Sequence, residues 1–223
     1  MKLLHKVAHV LKESGIYLFI ITFVGIYLDQ WLTASLEAEL MSPKGAGGIV
    51  WLWGALSILV NLTYPLLALV FVMASLAGHK PSSFVAKHFS QCLREIMRSW
   101  GKTVWWCLLF VIPGLIKFVQ YTFVPYVVCM VPEYQTGKLD ALKCSQSLAS
   151  KVVGKLVVTL IILVAIIPLI LTVFQEYRIF ANHPITAVFG VAVEVVLQII
   201  VASFVFDLFM RSVHESHVSV ERS

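Results

Sequence analysis

The sequence predicts an all-α integral membrane protein, with about six transmembrane or hairpin segments and amphipathic interface helices on the inner side. Three observations carry that expectation. Of the 223 residues, 59% are apolar or aromatic and only 13% are charged, at a mean hydropathy of +0.89, which is not the composition of a soluble domain. The apolar residues gather into uncharged runs, several long enough for a helix to cross about 30 Å of hydrocarbon. Lys and Arg fall in short blocks between those runs, as the positive-inside rule produces. The length allows at most about six or seven spans and no sizeable extramembrane domain, so 1–223 reads as a single polytopic membrane domain. A soluble enzyme, a disordered tail and a secreted disulfide scaffold are excluded.

The first run, Ile16 to Leu28, follows a basic stretch without a small-residue cleavage motif after it, and reads as a retained span rather than a signal peptide. The others are Gly45 to Ala77, Thr103 to Ile116, Phe118 to Pro132, Leu156 to Gln175 and Pro184 to Met210, the last broken by Glu194 and Asp207. Lys2, Lys6 and Lys12 against Glu13 place the N-terminus inside, and Asp29, Glu37 and Glu39 against Lys44 place the loop Asp29 to Gly48 outside. His79 to Lys102, at net +4, and Glu133 to Lys155, at net +2, are both inside. The stretch Thr103 to Pro132 must then leave and return, as a helical hairpin turned near Pro113 and Gly114, between Pro113 and Phe118. Its arms hold only 14 and 15 residues, fewer than the roughly 17 a straight span needs, so partial penetration stays open. Glu176 to His183 is a short outer loop that returns the C-terminus inside. Fourteen of the 17 basic residues lie on the assigned inner side.

Within Ser83 to Trp100 the residues Val85, Phe89, Cys92, Leu93, Ile96, Met97 and Trp100 share one helical face, with Lys87, Gln91, Arg94, Glu95 and Arg98 elsewhere. An amphipathic helix of this kind either lies among the inner headgroups or packs on its own spans; the pattern fits both. Shifting the chain by 55 residues aligns Ser90-Gln91-Cys92-Leu93 with Ser145-Gln146-Ser147-Leu148 and Ile112-Pro113 with Ile167-Pro168. This internal repeat covers about 84–120 and 139–175, in parallel rather than inverted orientation.

The run Val111-Ile-Pro-Gly-Leu-Ile116, followed by Tyr121, Pro125, Tyr126, Asp140-Ala141-Leu142 and Ser145 to Leu148, resembles the YciC-like bacterial inner-membrane proteins. It is similar also to the related membrane domains beside some glycerophosphodiester phosphodiesterases. The match covers about Trp105 to Pro168; Lys117 and Glu194 depart from the pattern, and no phosphodiesterase domain is present. The resemblance implies a multi-pass protein of the bacterial inner (cytoplasmic) membrane, of poorly defined activity and linked to lipid or envelope processes; the loop charges place both termini on the cytoplasmic side.

Few polar residues fall at membrane depth. Glu194 lies about 13 Å along its run by helical rise, where an ionised carboxylate costs at least about 2.5 to 3.5 kcal/mol. Gln198 follows on the same face, and the pair is either a proton or cation site or a neutral group facing other helices. Asp207 and Arg211 are spaced for an i,i+4 pair. Lys117 snorkels if the hairpin crosses, or needs an anion at depth, for which Glu194 is the candidate. Asn61 falls near the middle of Ile49 to Ala77, where a polar side chain usually bonds neighbouring helices. Glu194, Lys117, Asn61 and Gln198 are therefore the candidate intramembrane polar site.

Four cysteines without C-x-x-C spacing read as reduced structural thiols. His5 with His9, and His214 with His217, have ligand-like spacing but read as incidental pairs, so no metal and no cofactor is expected. No H-E-x-x-H, G-x-S-x-G, Walker A or dinucleotide motif occurs, which argues against an enzyme. A net charge of +5 without a basic patch interleaved with aromatics argues against nucleic acid as a partner. The expected partners are anionic lipids of the inner leaflet, with a homo-oligomer or another membrane protein open. Two functions remain: a non-catalytic module organising lipid or a partner complex, or a transporter or channel for a small solute or ion.

Overall fold

A computed structural model describes residues 2–41, 47–162 and 179–216, and every regular element among them is a helix. In chain order these are α1 (Lys2–Leu40), α2 (Ile49–Ala77), α3 (Pro81–Leu109), α4 (Val111–Tyr121), α5 (Val124–Met130), α6 (Pro132–Gln135), α7 (Ala141–Lys151), α8 (Val153–Ile161) and α9 (Pro184–His214). Four helical stretches are long and apolar enough to cross a membrane: Leu4–Leu40, Ile49–Ala77, Val111–Met130 and Pro184–His214. The pair α7–α8, bent by 94°, makes a fifth if it is one span. The rest of the run expected from Leu156 to Gln175 lies outside the described residues beyond Ile162.

Helices α1, α2 and α9 pack on one another. Leu18, Val10 and Val7 of α1 meet Ala68 and Val72 of α2 and Val191, Val195 and Ile199 of α9 in one apolar cluster. Lipid tails are as apolar as leucine, so adhesion between helices in hydrocarbon comes from close packing and hydrogen bonds. Both are present along α1 and α2. Ser14 and Ser75 share a buried hydrogen bond of 2.6 Å, and Tyr17 stacks on Phe71 at 5.7 Å. Gly25 admits the Tyr64 side chain so closely that an added Cβ would lie 2.8 Å from the Tyr64 Cβ.

The outer loop expected at Asp29 to Gly48 is largely helix, because α1 runs on to Leu40. The segment Thr33-Ala-Ser-Leu-Glu-Ala-Glu-Leu40 holds no Gly or Pro and is rich in strong helix formers. Trp31 packs edge-on against Trp53 of α2 at 5.6 Å, which ties this extension down.

The hairpin also turns elsewhere than its sequence implied. The expected turn at Pro113 and Gly114 lies inside α4, and the reversal is at Phe110, whose extended backbone (φ −154°, ψ 131°) separates α3 from α4. Pro113 is the third residue of α4, where its missing N–H removes none of the helix's internal bonds. Gly114 is where α4 folds back onto α3: a Cβ there would lie 2.8 Å from both the Cα and the N of Cys107. Ile-Pro-Gly therefore opens a helix and lets it lie against its neighbour.

The arm expected at Phe118 to Pro132 is likewise broken, at Thr122 and Phe123, and its second half is core. All seven residues of α5 are buried. Around them close Met73 and Val70 of α2, Cys92 of α3, Leu142 and Leu148 of α7, and Phe209 and Val213 of α9. Phe123 and Tyr126 meet Phe209 at 5.7 and 5.6 Å, and the Tyr126 hydroxyl donates to the Ala202 carbonyl at 3.3 Å.

The two segments expected to repeat differ in shape. In α3 the helix runs straight through Met97, whereas the aligned Val152 breaks α7 from α8 (φ −120°, ψ 19°). The end of the second copy, 163–175, lies outside the described residues.

Replacing Gly114 by Ala is expected to cost about 1 to 3 kcal/mol through overpacking against the Cys107 backbone, read as a lower thermal midpoint in detergent. Gly54→Ala, at a helical position where a Cβ meets nothing within 4 Å, should leave the midpoint unchanged or raise it, since Ala is the better helix former by about 0.5 to 1 kcal/mol.

Candidate functional site

The four candidate polar residues do not form one site. They fall into three clusters on different helix pairs, each of which satisfies its polar groups locally.

Glu194 and Gln198 lie one turn apart on α9, and the Gln198 amide nitrogen is 3.5 Å from a Glu194 carboxylate oxygen. The Thr22 hydroxyl of α1, itself fully buried, donates to the Gln198 amide oxygen at 3.3 Å. A polar run Thr22–Gln198–Glu194 thus crosses the α1–α9 contact. The sequence paired Glu194 with Gln198 by spacing, but Thr22 was legible only once α1 and α9 were side by side.

Asn61 was expected near mid-span as a buried group. It is exposed, and its amide donates to Asp29 and to the Ser57 carbonyl at 3.1 Å. The Ser57 hydroxyl donates to Asp29 at 2.9 Å as well. Because α1 and α2 are antiparallel, Asn61 sits level with Asp29, where the apolar run Ile16 to Leu28 ends. A carboxylate at that position is held by two neutral donors, the usual role of polar residues between membrane helices.

Lys117 does not meet Glu194. Its ammonium donates to the Gln120 side-chain oxygen at 3.0 Å and stands 5.9 Å from the centre of the Tyr121 ring. Tyr121 in turn accepts from Gln146 of α7 at 3.1 Å. Nor does Asp207 pair with Arg211: the Lys6 ammonium of α1 takes it instead. That ion pair brings the start of α1 and the end of α9 to the same end of the molecule.

A fourth cluster was missed. Glu95 is only 8% exposed although it lies in the amphipathic segment, because α3 buries Phe84, His88, Cys92, Glu95 and Ser99. That face is rotated from the one the apolar residues define; Met97 and Trp100 are exposed. Arg98 donates to Glu95 at 3.3 Å and to Asp140 at 2.7 Å, and the Tyr134 hydroxyl donates to Glu95 at 3.4 Å. Asp140 also caps α7 by accepting from the amides of Leu142 and Lys143 at 2.9 and 3.2 Å. Burial pushes the Asp140 carboxyl up, but the hydrogen bonds from Arg98 and the two amides outweigh it and hold the group below the ordinary carboxylate range. Partial burial, then the Glu95 carboxylate, push the Tyr134 phenol up to about 12. An acid followed by an arginine three residues on was the available signal, read as surface charge.

Among the described residues no group of three His, Cys, Asp or Glu side chains could hold a metal ion. His9 faces Glu13 at 3.5 Å, and His217 lies outside the described residues. The Cys92 and Cys129 thiols meet at 3.3 Å in the core. Comparison of the chain with protein-family models, with curated proteins and with solved structures finds no match.

A carboxyl with a lowered folded-state pKa contributes stability above its unfolded value, about 3.9 for Asp, and loses it as pH falls through the folded value. The thermal midpoint in detergent should therefore drop between about pH 5 and about pH 3. In Asp140→Asn, which retains a capping side chain but no charge, that drop should be smaller.

Proposed function

We propose that this chain is a non-catalytic multi-pass protein of the bacterial inner membrane that organises lipid in the cytoplasmic leaflet, with the α3–α4 hairpin as a wedge. The observation that carries this reading is the hairpin tip, where Leu108, Phe110 and Ile112 are 77%, 70% and 73% exposed. Trp105, Leu109, Val111, Leu115 and Ile116 are exposed beside them. A contiguous apolar surface of this kind marks a membrane or protein contact, and the cations Lys87, Arg94 and Lys102 run down the exposed side of the same helix. Aromatic and aliphatic tip with basic stem is the composition of an interfacial element that inserts among anionic headgroups.

Six membrane segments and cytoplasmic termini belong to this proposal. The Lys6–Asp207 pair supports termini on one side, and the outward apolar residues of α1, α2 and α9, such as Ile20, Leu52 and Phe189, are lipid-facing surface in it.

A spin label at position 108 in reconstituted vesicles tests the wedge. Relaxation by oxygen well above that by an aqueous nickel chelate is expected; the reverse order would sink the reading.

Transport remains the second reading, and the Thr22–Gln198–Glu194 run favours it. It requires that proteoliposomes dissipate an imposed pH or ion gradient faster than empty vesicles, with Glu194→Gln slowing the flux at least about tenfold, the scale of losing one essential ionisable group. Wild-type flux equal to that of empty vesicles excludes it.

A further inference from the structure

At the stem of the hairpin, α3, α4 and α7 enclose an open groove of about 590 Å³. Lys102 and Lys117 both line it, with Trp105, Trp106, Tyr121 and Gln146. Among the described residues neither ammonium has a carboxylate within ion-pair distance: Lys117 meets the neutral Gln120 oxygen and the Tyr121 ring, and Lys102 takes part in no ion pair. Arg98 of the same hairpin, by contrast, is held by Glu95 and Asp140. The Tyr121 hydroxyl and the Gln146 amide, already joined at 3.1 Å, add neutral hydrogen-bonding groups to the wall. Two cations from different helices therefore face one cavity whose walls include the rings of Trp105, Trp106 and Tyr121, next to a tip made of Leu109, Phe110 and Ile112.

We propose that this groove is a binding site for the phosphate headgroup of an anionic phospholipid, with its acyl chains running along Trp105 and Leu109 towards the hairpin tip. The charge is complementary: a phosphodiester is held by Lys102 and Lys117 as point charges. The geometry also fits a lipid better than a soluble phosphate, because the groove opens beside exposed apolar surface, and indole rings belong at the headgroup level of a bilayer. This inference rests on the wedge reading and assigns it a ligand class. It also accounts for Lys117, a charge within an otherwise apolar segment, without needing a partner carboxylate.

Lipids brominated on the acyl chains quench nearby tryptophan and test this in one experiment. The protein is reconstituted into vesicles of brominated phosphatidylcholine, with or without brominated phosphatidylglycerol at equal bromine content. Only Trp105 and Trp106 are retained, the other tryptophans being replaced by Phe. Quenching by the phosphatidylcholine alone reports the hairpin in the bilayer; additional quenching on introducing phosphatidylglycerol reports the groove. The excess is expected in the parent protein and should fall about tenfold or more in apparent affinity in Lys102→Gln/Lys117→Gln, the scale two cations at an anionic surface supply. It should persist in Lys102→Arg/Lys117→Arg, and in the charge-matched Lys87→Gln/Lys143→Gln.

No excess in the parent protein would overturn the proposal while leaving the wedge in place, and so would equal loss in the charge-matched control. Competition by millimolar glycerol phosphate equal to that by the lipid would show a soluble anion as the occupant and overturn it too. Absence of all quenching, phosphatidylcholine included, would remove the wedge reading itself.

Discussion

A helix of seven residues has no stability of its own, since nucleation costs more than one or two turns of hydrogen bonds return. Val124–Met130 is nevertheless helical, with every side chain enclosed. Its enclosure by α2, α3, α7 and α9 is the constraint on which the other elements depend. Tyr126 and Phe123 lie against Phe206 and Phe209 and so fix α5 on the end of α9. Cys92 and Pro125 then place α3 beside it. With α3 and α5 held, α4 has one course available, back from Phe110 along α3, and Gly114 is the residue that lets it take that course.

The same constraint explains what the hairpin leaves outside. Helix α3 buries Phe84, His88, Cys92, Glu95 and Ser99 and packs Val85, Phe89, Leu93 and Ile96 against the same core, so the apolar residues on its remaining side face outward. Met97, Trp100, Trp105 and Leu108 are left as surface, continuous with the tip of α4. Two Lys residues that would be unremarkable on a solvated helix become neighbours across a groove for the same reason, because α4 returns alongside α3.

Polar groups are distributed by a different rule. Several polar residues of the long apolar helices find a neutral or oppositely charged partner on the adjacent helix: Ser14 with Ser75, Thr22 with Gln198, Asp29 with Ser57 and Asn61, Lys6 with Asp207. Such bonds contribute about 0.6 kcal/mol on average between membrane helices, so no single one holds the bundle together. Their effect is on register, because a shift of one turn would leave several polar groups in hydrocarbon without partners.

Hydropathy alone was enough to read helices and membrane-length apolar stretches, because both are properties of consecutive residues. Three features were beyond it. The turn at Phe110 has no Gly or Pro to announce it, since the break is imposed by α4 packing back on Cys107. Burial of Glu95 depends on which side of α3 meets α5 and α7, and the apolar periodicity pointed to a different side. Gln198, Asn61 and Asp207 meet Thr22, Asp29 and Lys6 of α1, residues far from them in the chain. The helical, apolar class follows from transfer free energies summed along the chain; which charges meet, and which are left facing a groove, follows from helix pairing between distant residues, which only the tertiary structure decided.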